Sequence, residues 1–157
     1  MTATVDILED CSASWLPDRL LAEKWLNAAL TISGQATAAN ICLRFVEEEE
    51  SQRLNREFRD KDSATNVLSF PAGLSDSIAL QMDEIPLGDI AICPAIVERE
   101  ASAQAKELQS HWAHLLIHGV LHLLGYDHQT GDEAETMENM EITALESLGI
   151  ANPYLIG

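Results

Sequence analysis

Two periods of apolar spacing run along the chain, and the places where one gives way to the other mark its elements. Residues 4–9 (TVDILE) alternate as a strand does, and 39–46 (ANICLRFV) reads as a second strand. Between them, 17–31 sets Leu20, Leu21, Trp25, Leu26, Ala29 and Leu30 at helical spacing, with Pro17 in the first turn. Residues 47–59 predict another helix: acids crowd its start and bases its end, which suits the helix dipole, and Glu49 stands four residues before Arg53. VLSFP at 67–71 predicts a third strand, closed by Pro71 and Gly73, and 73–86 reads as a loop. LGDIAIC at 87–93 is the fourth strand. Pro94 then opens a helical region that runs to about Leu124 with a break near 105–110. A last helix over 131–148 starts behind Thr130 and ends at Gly149. No helix separates 67–71 from 87–93, so those strands can pair antiparallel. The pattern predicts one domain over 1–157, of α+β or mixed α/β class.

Composition adds limits. No apolar run approaches the roughly 20 residues of a membrane-spanning helix, and MTATVDILED is not a secretory signal, so a cytoplasmic protein is expected. Cys11, Cys42 and Cys93 are scattered and never form CxxC, which fits reduced structural thiols. The net charge of −17 argues against nucleic-acid binding through the overall field. Any contact with RNA must be local, and Arg53, Arg56, Arg59 and Lys61 form the one basic concentration in the chain.

The densest chemical signal is HWAHLLIHGVLHLLGYDH at 111–128, which contains all five histidines. Helical spacing places His111, His114, His118 and His122 on one face, with Leu115, Leu116, Leu121 and Leu123 giving apolar surface elsewhere. His118 and His122 are one turn apart, so their rings can converge on one ion. Gly125 permits a left-handed residue that turns the chain back, and His128 can then take a third position. Three protein ligands with a fourth place open is the catalytic zinc arrangement. The spacing matches metzincin proteases, but the glutamate that serves them as base is replaced here by Gly119. A metzincin-like hydrolase or protease is therefore a secondary reading.

HGVLHLLGYDH at 118–128 resembles the signature of the YbeY family of metal-dependent endoribonucleases. LNREFRDKDSATNVLSFP at 54–71, LGDIAIC at 87–93 and LGIANPY at 148–154 are similar to further blocks of that family. The resemblance implies an α+β fold with a mixed sheet of about four strands packed with helices. It implies one zinc ion per chain on His118, His122 and His128, at the end of a long histidine-bearing helix. It implies cleavage of single-stranded RNA in ribosomal RNA maturation, notably at the 3′ end of the small-subunit RNA, and in ribosome quality control. Ribosomal RNA and the ribosome or its small-subunit proteins are then the partners, with no membrane and no DNA. Arg59 falls on the family's functional arginine. One departure is visible: Ala64-Thr65-Asn66 stands where the family has Pro-Thr-Asp, which puts a charge-pairing role for position 66 in question.

Phosphodiester cleavage builds charge on non-bridging oxygens, which a guanidinium such as that of Arg59 can hold with two parallel bonds. Arg53 and Arg56 can contact flanking phosphates or pair with the preceding acids. His114 is open to three readings: orienting a ligand, touching substrate, or packing. Asp127 can accept from a liganding imidazole or sit in the turn, and Tyr126 can stack or pack. Ser69, Phe70 and Pro71 read as strand and turn residues near the cleft. Trp112, Met137 and Met140 read as core, and Glu133, Glu135, Glu138 and Glu141 as a solvated helix face. A non-catalytic, zinc-stabilised ribosome assembly factor is the alternative from outside the enzymes, and the acidic charge fits a protein that needs a partner to reach RNA.

Overall fold

The computed structural model describes residues 3–34, 38–79, 81–127 and 129–155. Four strands, β1 (Ala3–Asp10), β2 (Ala38–Val46), β3 (Val67–Pro71) and β4 (Glu84–Ile92), form one mixed sheet in the order β1-β2-β4-β3. The pairs β1–β2 and β2–β4 are parallel, and β3–β4 is antiparallel as expected, although the link between them is not helix-free: residues 76–79 form a short helix. Both outer strands are therefore edges, and β3 is the short one.

Six helices accompany the sheet among the described residues: α1 (Arg19–Ser33), α2 (Glu48–Arg59), α3 (Asp76–Ala79), α4 (Pro94–Ala103), α5 (Leu108–Leu123) and α6 (Gly131–Ser147). None is long and apolar enough to cross a membrane. Alternation along the strands sorts the packing. Ile41, Leu43, Phe45, Ile90 and Ile92 face a core shared with α1, α5 and α6, while Leu68 and Ala91 face the other way and meet Leu54 of α2. Ten of the sixteen residues of α5 are buried, so it is the central helix, hydrophobic on most of its circumference. Trp112 anchors it, edge-on to Phe45 at 5.4 Å and to Trp15 at 6.1 Å.

Several boundaries shift for local reasons. The first helix begins at Arg19 because Asp18 caps it, its carboxylate accepting from the Leu21 N–H at 2.8 Å. Leu20 consequently leaves the apolar stripe and stands exposed, and Ala22 joins the buried set. The expected loop at 73–86 contains the short α3, and β4 starts at Glu84, three residues before the expected start at Leu87. Backbone pairing to β2 carries the strand through Glu84, Ile85 and Pro86. Arg53 pairs with Glu50 and Glu57 rather than Glu49. Gly125, with φ +99, reverses the chain after α5 as its position suggested. All three thiols are free, and burial pushes each of them up.

Candidate active site

The C-terminal end of α2, the edge of β3 and one face of α5 enclose a cleft of about 880 Å³. Its lining includes Arg59, Lys61, Ser69, His114, His118 and His122, with Tyr126, Asp127 and Tyr154 also on its wall. Two buried polar side chains of α2 shape the loop that leads into it. Ser51 Oγ donates to the Thr65 carbonyl at 2.7 Å and accepts from the Thr65 N–H at 2.9 Å, and Asn55 Nδ2 donates to the Ser63 carbonyl at 2.8 Å. Asp60 ends α2 in the left-handed region, with φ 60. The loop is thereby folded back so that Lys61, Thr65 and Asn66 line the cleft.

Arg59 differs from the arginines around it. Arg44, Arg53, Arg56 and Arg99 each pair with a carboxylate. Arg59 Nη2 instead donates to the backbone carbonyl of Ser69 at 3.0 Å, which holds the guanidinium at the cleft beside β3. A carbonyl partner leaves the positive charge uncompensated, so it remains available to an anion.

On α5, His118 and His122 turn their Nε2 atoms toward each other at 3.0 Å, with ring centroids 4.5 Å apart. The third expected ligand, His128, lies outside the described residues. Among the described residues no group of three His, Cys, Asp or Glu side chains is arranged to hold a metal ion. The chemistry of the pair fits a metal: two imidazole nitrogens converging in an open cleft are donors that zinc accepts. His111 shares the same helical stripe but turns away, its Nε2 3.0 Å from Glu100 Oε1.

Glu141 is not part of a solvated face. It is 1% exposed, with its carboxylate set between two of the histidines. Oε2 lies 3.1 Å from His118 Nδ1, and Oε1 bonds to His114 Nε2 and accepts from the Tyr154 hydroxyl at 2.7 Å. Burial alone would push this carboxyl up, but the hydrogen bonds from His114, His118 and Tyr154 outweigh it and hold the group at about 2. The same contact, after burial, drives the Tyr154 phenol up. The signal was present in the sequence: Glu141 stands four residues after Met137 and three and four before Ala144 and Leu145, the buried stripe of α6. The other acids of that helix named above, Glu133, Glu135 and Glu138, are exposed as expected.

Gly119 faces the sheet. A Cβ there would stand 3.1 Å from Ile90 Cδ1 and 3.2 Å from Ser69 Oγ. A side chain at this position would require Ile90 and Ser69 to give way in the packing of α5 on β3 and β4, so the metzincin base is absent by residue type and disfavoured by space.

A histidine pair and a carbonyl-anchored guanidinium in one cleft of an α+β fold are the equipment of a hydrolase, and the class is fixed by the relatives of the chain. The family model for endoribonuclease YbeY matches residues 12–149. The chain is 45% identical to endoribonuclease YbeY of Colwellia psychrerythraea over 99% of both chains. It is 47% identical to that of Alcanivorax borkumensis, over 98% of this chain and 87% of the relative. A solution structure from Thermotoga maritima aligns with a TM-score of 0.53 and 26% identity, covering 96% of this chain and 99% of that one. The chain belongs to the endoribonuclease YbeY family.

Proposed function

We propose that this endoribonuclease cuts single-stranded RNA during ribosomal RNA maturation, including the 3′ end of the small-subunit RNA, with zinc held by His118, His122 and His128. The observation that carries this reading is the sharing of one cleft by the convergent Nε2 atoms of His118 and His122 and the carbonyl-anchored Arg59. When bound, zinc supplies positive charge that stabilises the attacking or leaving oxygen. Arg59 holds the non-bridging oxygens of the scissile phosphate, and its bond to Ser69 fixes the direction from which it does so. Lys61 attracts a neighbouring phosphate, while Tyr126 and Tyr154 offer ring faces to unpaired bases. Selection for single strands follows from those bases, since paired ones cannot stack on a side chain.

The net charge of −17 repels RNA at long range, so delivery depends on a docked partner. The ribosome or a small-subunit protein fills that role in the cytoplasm and allows the same enzyme to act in ribosome quality control.

Incubation of the purified protein with a single-stranded ribosomal RNA fragment tests this reading. Cutting is expected to require zinc and to disappear with chelator, with His118→Ala and with Arg59→Glu. Cleavage that persists under all three conditions overturns it. A 2′,3′-cyclic phosphate on the products identifies the substrate's 2′-hydroxyl as the nucleophile, and a 5′-phosphate identifies water.

A further inference from the structure

We propose that Glu141 is a positioning residue for His118, holding that imidazole in the tautomer whose Nε2 carries the lone pair, with His114 and Tyr154 fixing the carboxylate in turn. The proposal rests on the reading of His118 as a metal ligand. Its basis is the count of donors and acceptors around one buried group. An ionised carboxylate only accepts hydrogen bonds, so each of its three partners must donate. His118 therefore carries its proton on Nδ1, 3.1 Å from Oε2, and His114 carries one on Nε2. The Tyr154 hydroxyl donates to Oε1 at 2.7 Å. With Nδ1 protonated, a neutral His118 ring presents Nε2 as an acceptor, and this is the atom that points at His122 Nε2.

The carboxylate is 23 residues away from His118 in sequence and arrives on a different helix, while Tyr154 comes from the segment after α6. Three parts of the chain thus meet at one anion, which assigns His114 to the support of Glu141. A carboxylate behind a liganding imidazole raises its basicity and fixes its direction.

Glutamine at this position separates positioning from simple bracing. Its side chain is the same size but has one acceptor and one donor end. The oxygen goes to the side with two donors, His114 and Tyr154, which leaves the amide N–H facing His118 Nδ1. That nitrogen must then accept, and the proton moves to Nε2, the ligating edge.

The experiment uses the full-length, metal-free protein labelled with ¹⁵N, above about pH 8 where imidazoles are neutral. Long-range ¹H–¹⁵N spectra of the wild type are expected to show His118 protonated at Nδ1. Glu141→Gln is expected to move the proton to Nε2 and to weaken zinc binding about 10–100-fold in competition with a chromogenic chelator. Tyr154→Phe, which keeps the carboxylate, is expected to lower zinc affinity less and leave the tautomer unchanged. A wild-type His118 protonated at Nε2 overturns the proposal, as does a Glu141→Gln protein with unchanged tautomer and zinc affinity. If Glu141→Gln does not fold, the wild-type spectrum and Tyr154→Phe still decide. A wild type with the expected tautomer but no zinc affinity sinks the metal reading and leaves the Glu141 assignment standing.

Discussion

Ser69 is fastened to Gly119: its hydroxyl donates to the Gly119 carbonyl across 2.9 Å and ties the edge strand to the histidine helix. The same oxygen would be 3.2 Å from a Cβ at Gly119. The bond and the missing side chain are two halves of one device, which brings β3 close enough to α5 for both to line the cleft. Gly119→Glu restores the metzincin sequence pattern but places a carboxylate against Ile90 and Ser69. It is expected to cost roughly 3 kcal/mol or more, from overpacking and an unpaired buried charge. No peptidase activity should appear. Urea unfolding and a peptide-library digest check this; a variant with the wild-type midpoint that cleaves peptides would refute it.

Arg59→Ala removes one hydrogen bond to a backbone carbonyl and, on the reading above, the main phosphate contact. The stability loss should be only about 0.5–1.5 kcal/mol. RNA cleavage should fall about 10²–10³-fold, the scale seen when one donor to a developing oxyanion is lost. Zinc affinity should not change, because the guanidinium is anchored on the Ser69 carbonyl and a cation is not a zinc ligand. Single-turnover cleavage rates alongside a chelator competition make the separation visible. Equal losses in cutting and zinc binding would mean that Arg59 supports the metal site instead.

The sheet, the central helix and the histidine pair were legible because each rests on local periodicity: alternation in 39–46, helical spacing in 17–31, one turn between His118 and His122. Contacts between distant segments were not. The stripe of Met137, Ala144 and Leu145 turns Glu141 inward, but only the fold shows that its carboxylate meets His114, His118 and Tyr154. Position 66 is similar. Its amide accepts from the Val67 N–H at 2.6 Å and donates to Glu100 at 3.0 Å, while Glu100 also meets His111. An aspartate there would face a second carboxylate, so Asn66 suits its own surroundings, and only the fold reveals Glu100 as the neighbour. The boundary at Arg19 was missed because Pro17 and Asp18 both signal a helix start, and the cap won.

Zinc binding to the folded chain alone should stabilise it by about 2.7 kcal/mol at a free concentration of 100 times Kd. Chelator is expected to lower the thermal midpoint and abolish RNA cutting, and returned zinc to restore both. His118→Ala and His122→Ala should remove the zinc-dependent shift. Differential scanning of the metal-free and zinc-loaded forms checks it. If zinc raises the midpoint while RNA is never cut, and the Arg59→Ala protein still binds ribosomes, the assembly-factor reading gains the ground.

His111 makes a prediction in which the sign matters. It is 4% exposed, and burial lowers its pKa below 6.5 although the hydrogen bond to Glu100 works in the opposite direction. The folded protein therefore keeps this ring neutral in a range where the unfolded chain already binds a proton. Stability from His111 is fully present above about pH 6.5 and is lost as pH falls toward the depressed folded value. His111→Gln removes that dependence while retaining a donor for Glu100. The urea midpoint of the wild type relative to the variant is accordingly expected to fall as pH is lowered from about 8 to 5. If the wild type instead gains on the variant toward acid, the ring is charged in the fold and its pair with Glu100 outweighs desolvation. The comparison with glutamine isolates this from the titration of every other group, because those are common to both proteins.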